Sequence, residues 1–156
     1  MKINDFLLRM WNDYSGLNPH INKVLDLIKE KETKNIINDH IALRTFNHKK
    51  INRHVLSIYF VKNGYKPIED LMFTEKKLKA TYYLHSDPTL PRIFISELLL
   101  ENFSEKLQKS INSKIDEIDV DSIPDPEFLT SGIPWSPIDY KTYKEIQSES
   151  DYASWV

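Results

Sequence analysis

The chain has 156 residues, 40% of them apolar, with a formal net charge of −2 and no cysteine. That length allows a single domain with a true core. The near balance of charge argues against a nucleic-acid binder, and the absence of cysteine excludes disulfides, thiolate metal sites and a cysteine nucleophile. Gly16, Gly64 and Gly132 are the only glycines, too few and too scattered for a phosphate-cradling loop. No serine sits in a nucleophile-elbow pattern. No apolar run approaches the roughly 20 residues that a bilayer-crossing helix needs. The opening Met1-Lys2-Ile3-Asn4-Asp5 has no apolar signal core, so a cytoplasmic protein is the expectation.

Ile3, Phe6, Leu7, Met10, Trp11 and Tyr14 recur at helical spacing, which predicts an amphipathic first helix ending near Ser15-Gly16. Asn18-Pro19 resembles a cap followed by proline at a first helical position. Ile21, Val24, Leu25 and Ile28 supply the stripe of a second helix, closed by the charged run Lys29–Lys34. The β-branched and apolar stretch from Ile36 to Phe46 reads as a strand. After the polar turn 47–50, Val55, Ile58, Tyr59 and Lys62 return to helical spacing, and Gly64 fits a C-terminal cap. A short strand over Tyr65–Ile68, weakened by Pro67, precedes strands over Leu78–His85 and Arg92–Leu98. Ser104 caps a helix carrying Leu107, Ile111 and Ile115. Pro124, Pro126, Pro134 and Pro137 mark an extended connector. Ser136-Pro137 then opens a helix through Tyr140, Tyr143 and Ile146, and Asp151–Val156 reads as the start of another.

The fold class expected is α+β. From residue 36 to 99 the order strand, helix, strand, strand, strand describes a βαβββ half-barrel with an open concave face. It is flanked by an N-terminal helical pair over 1–35 and, after a module spanning 36–118, by a connector and helices over 119–156. Such a unit leaves its edge and concave side uncovered, and no second copy is found in the sequence. The expectation is that it needs one, in cis or from a homodimer partner.

On a strand, side chains alternate, so His40, Ala42, Arg44 and Phe46 share a face. His40 and Arg44 lie roughly 13 Å apart at strand rise, and the small Ala42 between them leaves room for a ligand. A neutral imidazole binds a metal and a guanidinium grips a carboxylate through paired hydrogen bonds, so the two suit a metal-bound organic acid in one pocket. The alternative is a hydrogen-bonded core histidine with an arginine at the rim. Glu97, on an otherwise apolar strand, is costly unless paired or metal-bound. It is the second candidate metal ligand, or else a strand-end carboxylate paired with Arg44 or a lysine. Lys79 and Arg92 add positive charge for an acidic substrate. The lysine run around Lys76, Lys77 and Lys79 also reads as an edge that discourages strand pairing. His85 reads as a turn residue, and His20, His48 and His54 as surface residues.

Asp-His-Ile-Ala-Leu-Arg-Thr-Phe at 39–46, Glu-Lys-Lys-Leu-Lys-Ala-Thr at 75–81 and Pro-Arg-Ile-Phe-Ile-Ser-Glu-Leu at 91–98 together resemble the hydroxyglutarate synthase family, which includes 2-oxoadipate dioxygenase/decarboxylase. That family is similar in fold to the vicinal-oxygen-chelate proteins, built from paired βαβββ modules. The resemblance implies an Fe(II)-dependent dioxygenase that decarboxylates a 2-oxo acid such as 2-oxoadipate with dioxygen and yields a 2-hydroxy acid. It implies that His40 is the first metal histidine and Arg44 the arginine that binds substrate. The second histidine and the carboxylate ligand belong to the family's second module. Val156 falls about where that module is expected to begin, so the chain is read as an N-terminal part or a half-length form that dimerises. A competing expectation is a non-catalytic half-barrel dimer that binds a small acid or a metal; another is a structural fragment with no function apart from its other half.

Overall fold

The computed structural model describes residues 1–30, 38–123 and 125–155. The expected strand start at Ile36, the charged run beyond Glu30, Pro124 and Val156 lie outside the described residues.

Two helices open the chain, α1 (Ile3–Leu17) and α2 (Ile21–Lys29). Phe6 of α1 is fully buried, its ring 4.6 Å from that of Tyr59 and 5.7 Å from that of Phe60. The apolar stripe of α2 forms as expected but buries nothing: no residue of this helix is buried, and Val24 and Leu27 are exposed.

The sheet is built from β1 (His40–Phe46), β2 (Lys66–Phe73), β3 (Leu78–Leu84) and β4 (Arg92–Leu98), with α3 (Arg53–Lys62) crossing between β1 and β2. Its order is β1-β4-β3-β2. β1 runs parallel to β4, while β4–β3 and β3–β2 are antiparallel. A parallel pair requires a crossover connection, which α3 provides. The Asn52 side chain caps α3 by accepting from the His54 and Val55 N–H groups. Gly64 ends the turn after α3 at φ +95°, where a Cβ would lie 2.7 Å from His85 Nε2; both the backbone and the His85 ring call for glycine there.

β2 runs further than the expected Tyr65–Ile68 segment. Its exposed, acidic centre has poor intrinsic strand character, but pairing with β3 outweighs propensity. An irregularity between Pro67 and Glu69 accommodates the proline on this edge strand.

Pleat alternation divides the sheet's side chains into two sets. Ile93, Ile95 and Tyr83 join Phe6, Leu56, Tyr59, Phe60 and Tyr65 beneath α3 and α1. Phe46, Leu78 and Leu98, from the other face, pack with Leu107, Ile111 and Ile115 of α4 (Glu105–Asp116), Ile146 of α5 (Tyr140–Glu149) and Ala153 of α6 (Asp151–Trp155). The concave face is thus partly covered by the chain's own C-terminal helices, where the sequence reading left it open.

Polar fastenings hold those helices. Ser104 caps α4 by accepting from the Leu107 N–H. The same serine donates its hydroxyl to Glu149 Oε1 at 2.6 Å and its N–H to Oε2 at 3.2 Å, tying α5 to the start of α4. Upstream, Glu117 accepts from Lys114 Nζ at 2.8 Å and from the Ser136 N–H at 2.6 Å, closing the connector back onto α4. These bonds lower the Glu117 carboxyl from 4.5 to about 2, Lys114 first and Ser136 second. A depressed carboxylate contributes stability that is fully present above its unfolded value and is lost as pH falls through its folded value. The Glu117 carboxyl is therefore expected to titrate near 2 by NMR, with the Ser136 amide following the same midpoint. A Glu117 midpoint above 4 would show that the clamp does not form.

Candidate functional site

β1 is an edge strand, and its pleat sends His40, Ala42, Arg44 and Phe46 to one face. Register places them beside Arg92, Phe94, Ser96 and Leu98 of β4. An open cleft of about 950 Å³ lies against this face. Ala42, Arg44, Phe94 and Ser96 form its floor, the turn Glu75–Leu78 one wall, and Glu149–Tyr152 with Trp155 the other.

Arg44 is the arginine of this cleft, whose wall also carries Lys76 and Lys77. Its guanidinium lies 5.5 Å from the centre of the Tyr152 ring and 5.1 Å from that of Trp155. Among the described residues it takes part in no ion pair. The nearby Glu149 carboxylate is already engaged by Ser104. An arginine held in a cleft without a carboxylate partner is ready to donate to one.

His40 lies at the start of β1, its side chain 58% exposed. Its Nδ1 is 2.9 Å from Asp39 Oδ2. An ionised carboxylate only accepts, so Nδ1 carries the proton and the lone pair of the neutral ring stays on Nε2. That pairing, joined by Arg92, holds the Asp39 carboxyl below the ordinary range. A carboxylate behind one imidazole nitrogen is the arrangement that orients a histidine for metal binding through the other. The donor set fits one metal ligand and no more: among the described residues no group of three or more His, Cys, Asp or Glu could hold an ion.

Several expectations are corrected by this geometry. His40 shares a face with Arg44 but is not among the residues lining the Arg44 cleft; three residues of extended strand separate them. Glu97 does not face the cleft. It pairs in register with Thr45 and Lys79, on the side covered by α3. Its Oε1 accepts from Arg53 Nε at 3.1 Å and its Oε2 from the Arg53 N–H at 2.9 Å, so both carboxylate oxygens are engaged by Arg53 and turned away from any ion on the cleft side. Lys79 shares that far side, with Nζ 3.9 Å from Asp70 Oδ2, and does not point toward Arg44. Arg92 is on the face of His40, its register partner, and is 64% exposed with Nη1 3.9 Å from Asp39 Oδ1.

Sequence reasoning missed Tyr152 and Trp155. Their signal was present: aromatic residues three apart on a helix share a face, and an unpaired edge-strand arginine needed a neighbour. Tyr152 is anchored by its hydroxyl, which accepts from the Thr45 N–H at 3.2 Å and donates to the Ser96 carbonyl at 2.8 Å. Burial raises the phenol's pKa.

Comparison with known proteins places this geometry in context. The curated 2-oxoadipate dioxygenase/decarboxylase of Oryza sativa is 33% identical over 156 residues, covering 92% of this chain and 42% of that protein. The crystal structure of rice hydroxyglutarate synthase in complex with 2-oxoadipate superposes with a TM-score of 0.88 at 31% identity, over 97% of this chain and 52% of that one. A Shewanella frigidimarina protein, described as a candidate hydrolase, reaches a TM-score of 0.92 at 42% identity, over 99% of this chain and 60% of that one. A glyoxalase-superfamily protein of Ralstonia eutropha, with a TM-score of 0.71 at 15% identity, shares the fold alone. The βαβββ half-barrel is thus of the vicinal-oxygen-chelate type, and the chain spans about half the length of the relatives it matches. The family model for 2-oxoadipate dioxygenase/decarboxylase matches residues 6–130, from the buried Phe6 of α1 through the whole sheet, and the chain belongs to that family.

Proposed function

We propose that this chain is the acid-gripping half of a dioxygenase that decarboxylates a 2-oxo acid such as 2-oxoadipate to a 2-hydroxy acid. The observation that carries the reading is Arg44: a guanidinium without an ion-pair partner among the described residues, lining a cleft on the face that also bears His40. Arg44 binds a carboxylate of the substrate and fixes its direction along the sheet. His40, oriented by Asp39, contributes Nε2 as one ligand of an Fe(II) ion. When bound, the iron supplies the activation of dioxygen. Ala42 keeps the floor between them low enough for an extended acid. Phe94 and the aromatic rings of α6 flank the carboxylate contact. The remaining ligands come from a second module, in cis or from a partner.

The reading is tested with the 156-residue chain itself. One histidine does not hold a ferrous ion firmly, so iron is expected to be lost on gel filtration, and oxygen uptake with 2-oxoadipate is expected to stay at background. Residual iron on the chain should fall further in His40→Ala. Stoichiometric iron retained by the chain, together with oxygen consumption on 2-oxoadipate, would overturn the half-site reading.

A further inference from the structure

Trp155 is 71% exposed, an unusual place for so large an apolar surface, yet its ring faces the Arg44 guanidinium at 5.1 Å. Tyr152, one turn earlier on α6, faces the same guanidinium at 5.5 Å. The Tyr152 ring is not simply buried by its helix. Its hydroxyl is bonded to Thr45, the residue after Arg44, and to Ser96, the register partner of Arg44 on β4. The ring is therefore tied to the strand that carries the arginine and to its neighbour β4, and α6 is positioned against Arg44 by bonds of its own.

Consider an arginine on an edge strand with no such neighbours. Its long side chain would lose considerable rotamer freedom on gripping a carboxylate. Stacking against aromatic faces restrains the guanidinium beforehand. It also uses only the π-face, leaving the in-plane N–H groups for the bidentate contact.

Resting on the reading of Arg44 as the acid-binding group, we infer that Tyr152 and Trp155 are positioning residues: an aromatic clip that sets the direction of the Arg44 guanidinium and makes α6 part of the carboxylate subsite. A side chain with no such role, exposed on a terminal helix, would be replaceable without effect.

The test uses the 156-residue chain, with glutarate and 2-oxoadipate as probes and the Arg44 Nε–H resonance as reporter. Because Trp155 is largely exposed, Trp155→Ala is expected to keep the wild-type melting temperature. It should shift the Arg44 resonance in the free chain and weaken acid binding roughly two- to fivefold, the range spanned by an exposed cation–π contact. Trp155→Phe, which keeps an aromatic face, should restore most of the affinity. Tyr152→Leu should add to the loss. If Trp155→Ala leaves both the Arg44 resonance and the acid affinity unchanged while Arg44→Ala weakens binding about tenfold or more, the clip is refuted and the role of Arg44 stands. If Arg44→Ala binds the acids as tightly as wild type, the underlying reading falls and the clip with it.

Discussion

Replacing Arg53 by methionine is expected to lower the melting temperature of the chain by about 6–20 °C. The Arg53 and Glu97 side chains are only 4% and 9% exposed. Arg53 is the first residue of α3, and the Glu97 carboxylate accepts both its backbone N–H and its Nε. The carboxylate thereby serves as a partner to the guanidinium and as an anion at the helix N-terminus. Arg53 Nη1 reaches across to Asp70 at 2.8 Å and to the Thr81 hydroxyl. The Thr81 hydroxyl, and after it the Arg53 charge, hold the Asp70 carboxyl below its ordinary value. Methionine keeps much of the volume but leaves Glu97 buried opposite no cation. Breaking a buried pair in this way costs about 3–5 kcal/mol, and for a chain of this size each kcal/mol corresponds to roughly 2–4 °C. Thermal unfolding followed by circular dichroism reads the difference. The double variant Arg53→Met/Glu97→Leu is expected to recover a large part of the loss, since it removes both charges together. A double variant that loses the sum of the two single effects would show that the pair is not coupled.

That network also shows where the sequence was legible and where it was not. Glu97 stood out as an expensive carboxylate on an apolar strand, and the need for a partner was sound physics. The partner was not visible, because Arg53 lies 44 residues away in what reads locally as the polar entrance of a helix. Glu97 was expected in or near the pocket, and register moves it out: it pairs with Thr45 while its neighbour Ser96 pairs with Arg44, so Glu97 lies on the face away from the cleft. Local signals did better with β4, whose β-branched run matched Arg92–Leu98, and with α4, whose Ser104 cap formed as expected. β2 was under-read because its pairing to β3, not its own composition, makes it a strand. The grouping of His40 and Arg44 on one face was legible from spacing. Whether they shared a pocket was not, because that depends on how α5 and α6 return over the sheet. The return itself is set by contacts such as Tyr152 to Thr45, which join residues 107 positions apart.

The largest functional effect is expected at Arg44. Changing it to alanine should weaken binding of glutarate or 2-oxoadipate about 10- to 100-fold, the range that follows from losing a charge-assisted hydrogen bond worth about 1.5–3 kcal/mol. The fold is expected to be unaffected, because Arg44 is exposed and its guanidinium lies over the rings of Tyr152 and Trp155, in no ion pair among the described residues. Arg44→Lys separates charge from shape. Lysine keeps the positive charge but loses the planar fork and much of the stacking on the aromatic rings, so it should recover only a minor part of the affinity. The residual binding to the lysine variant should fall with added salt more steeply than binding to wild type, as expected of an exposed point charge without paired hydrogen bonds. In an enzyme completed by a second module, the same substitution should reduce kcat as well as raise KM. A carboxylate gripped at one end of an extended acid aligns the reacting end, and binding energy used for alignment appears in the rate. Isothermal titration of wild type, Arg44→Ala and Arg44→Lys at two salt concentrations checks the binding arm. Equal affinity in all three proteins would mean that the acid is held elsewhere in the cleft, and wild-type affinity in Arg44→Lys alone would mean that charge, not a bidentate grip, is what the arginine contributes.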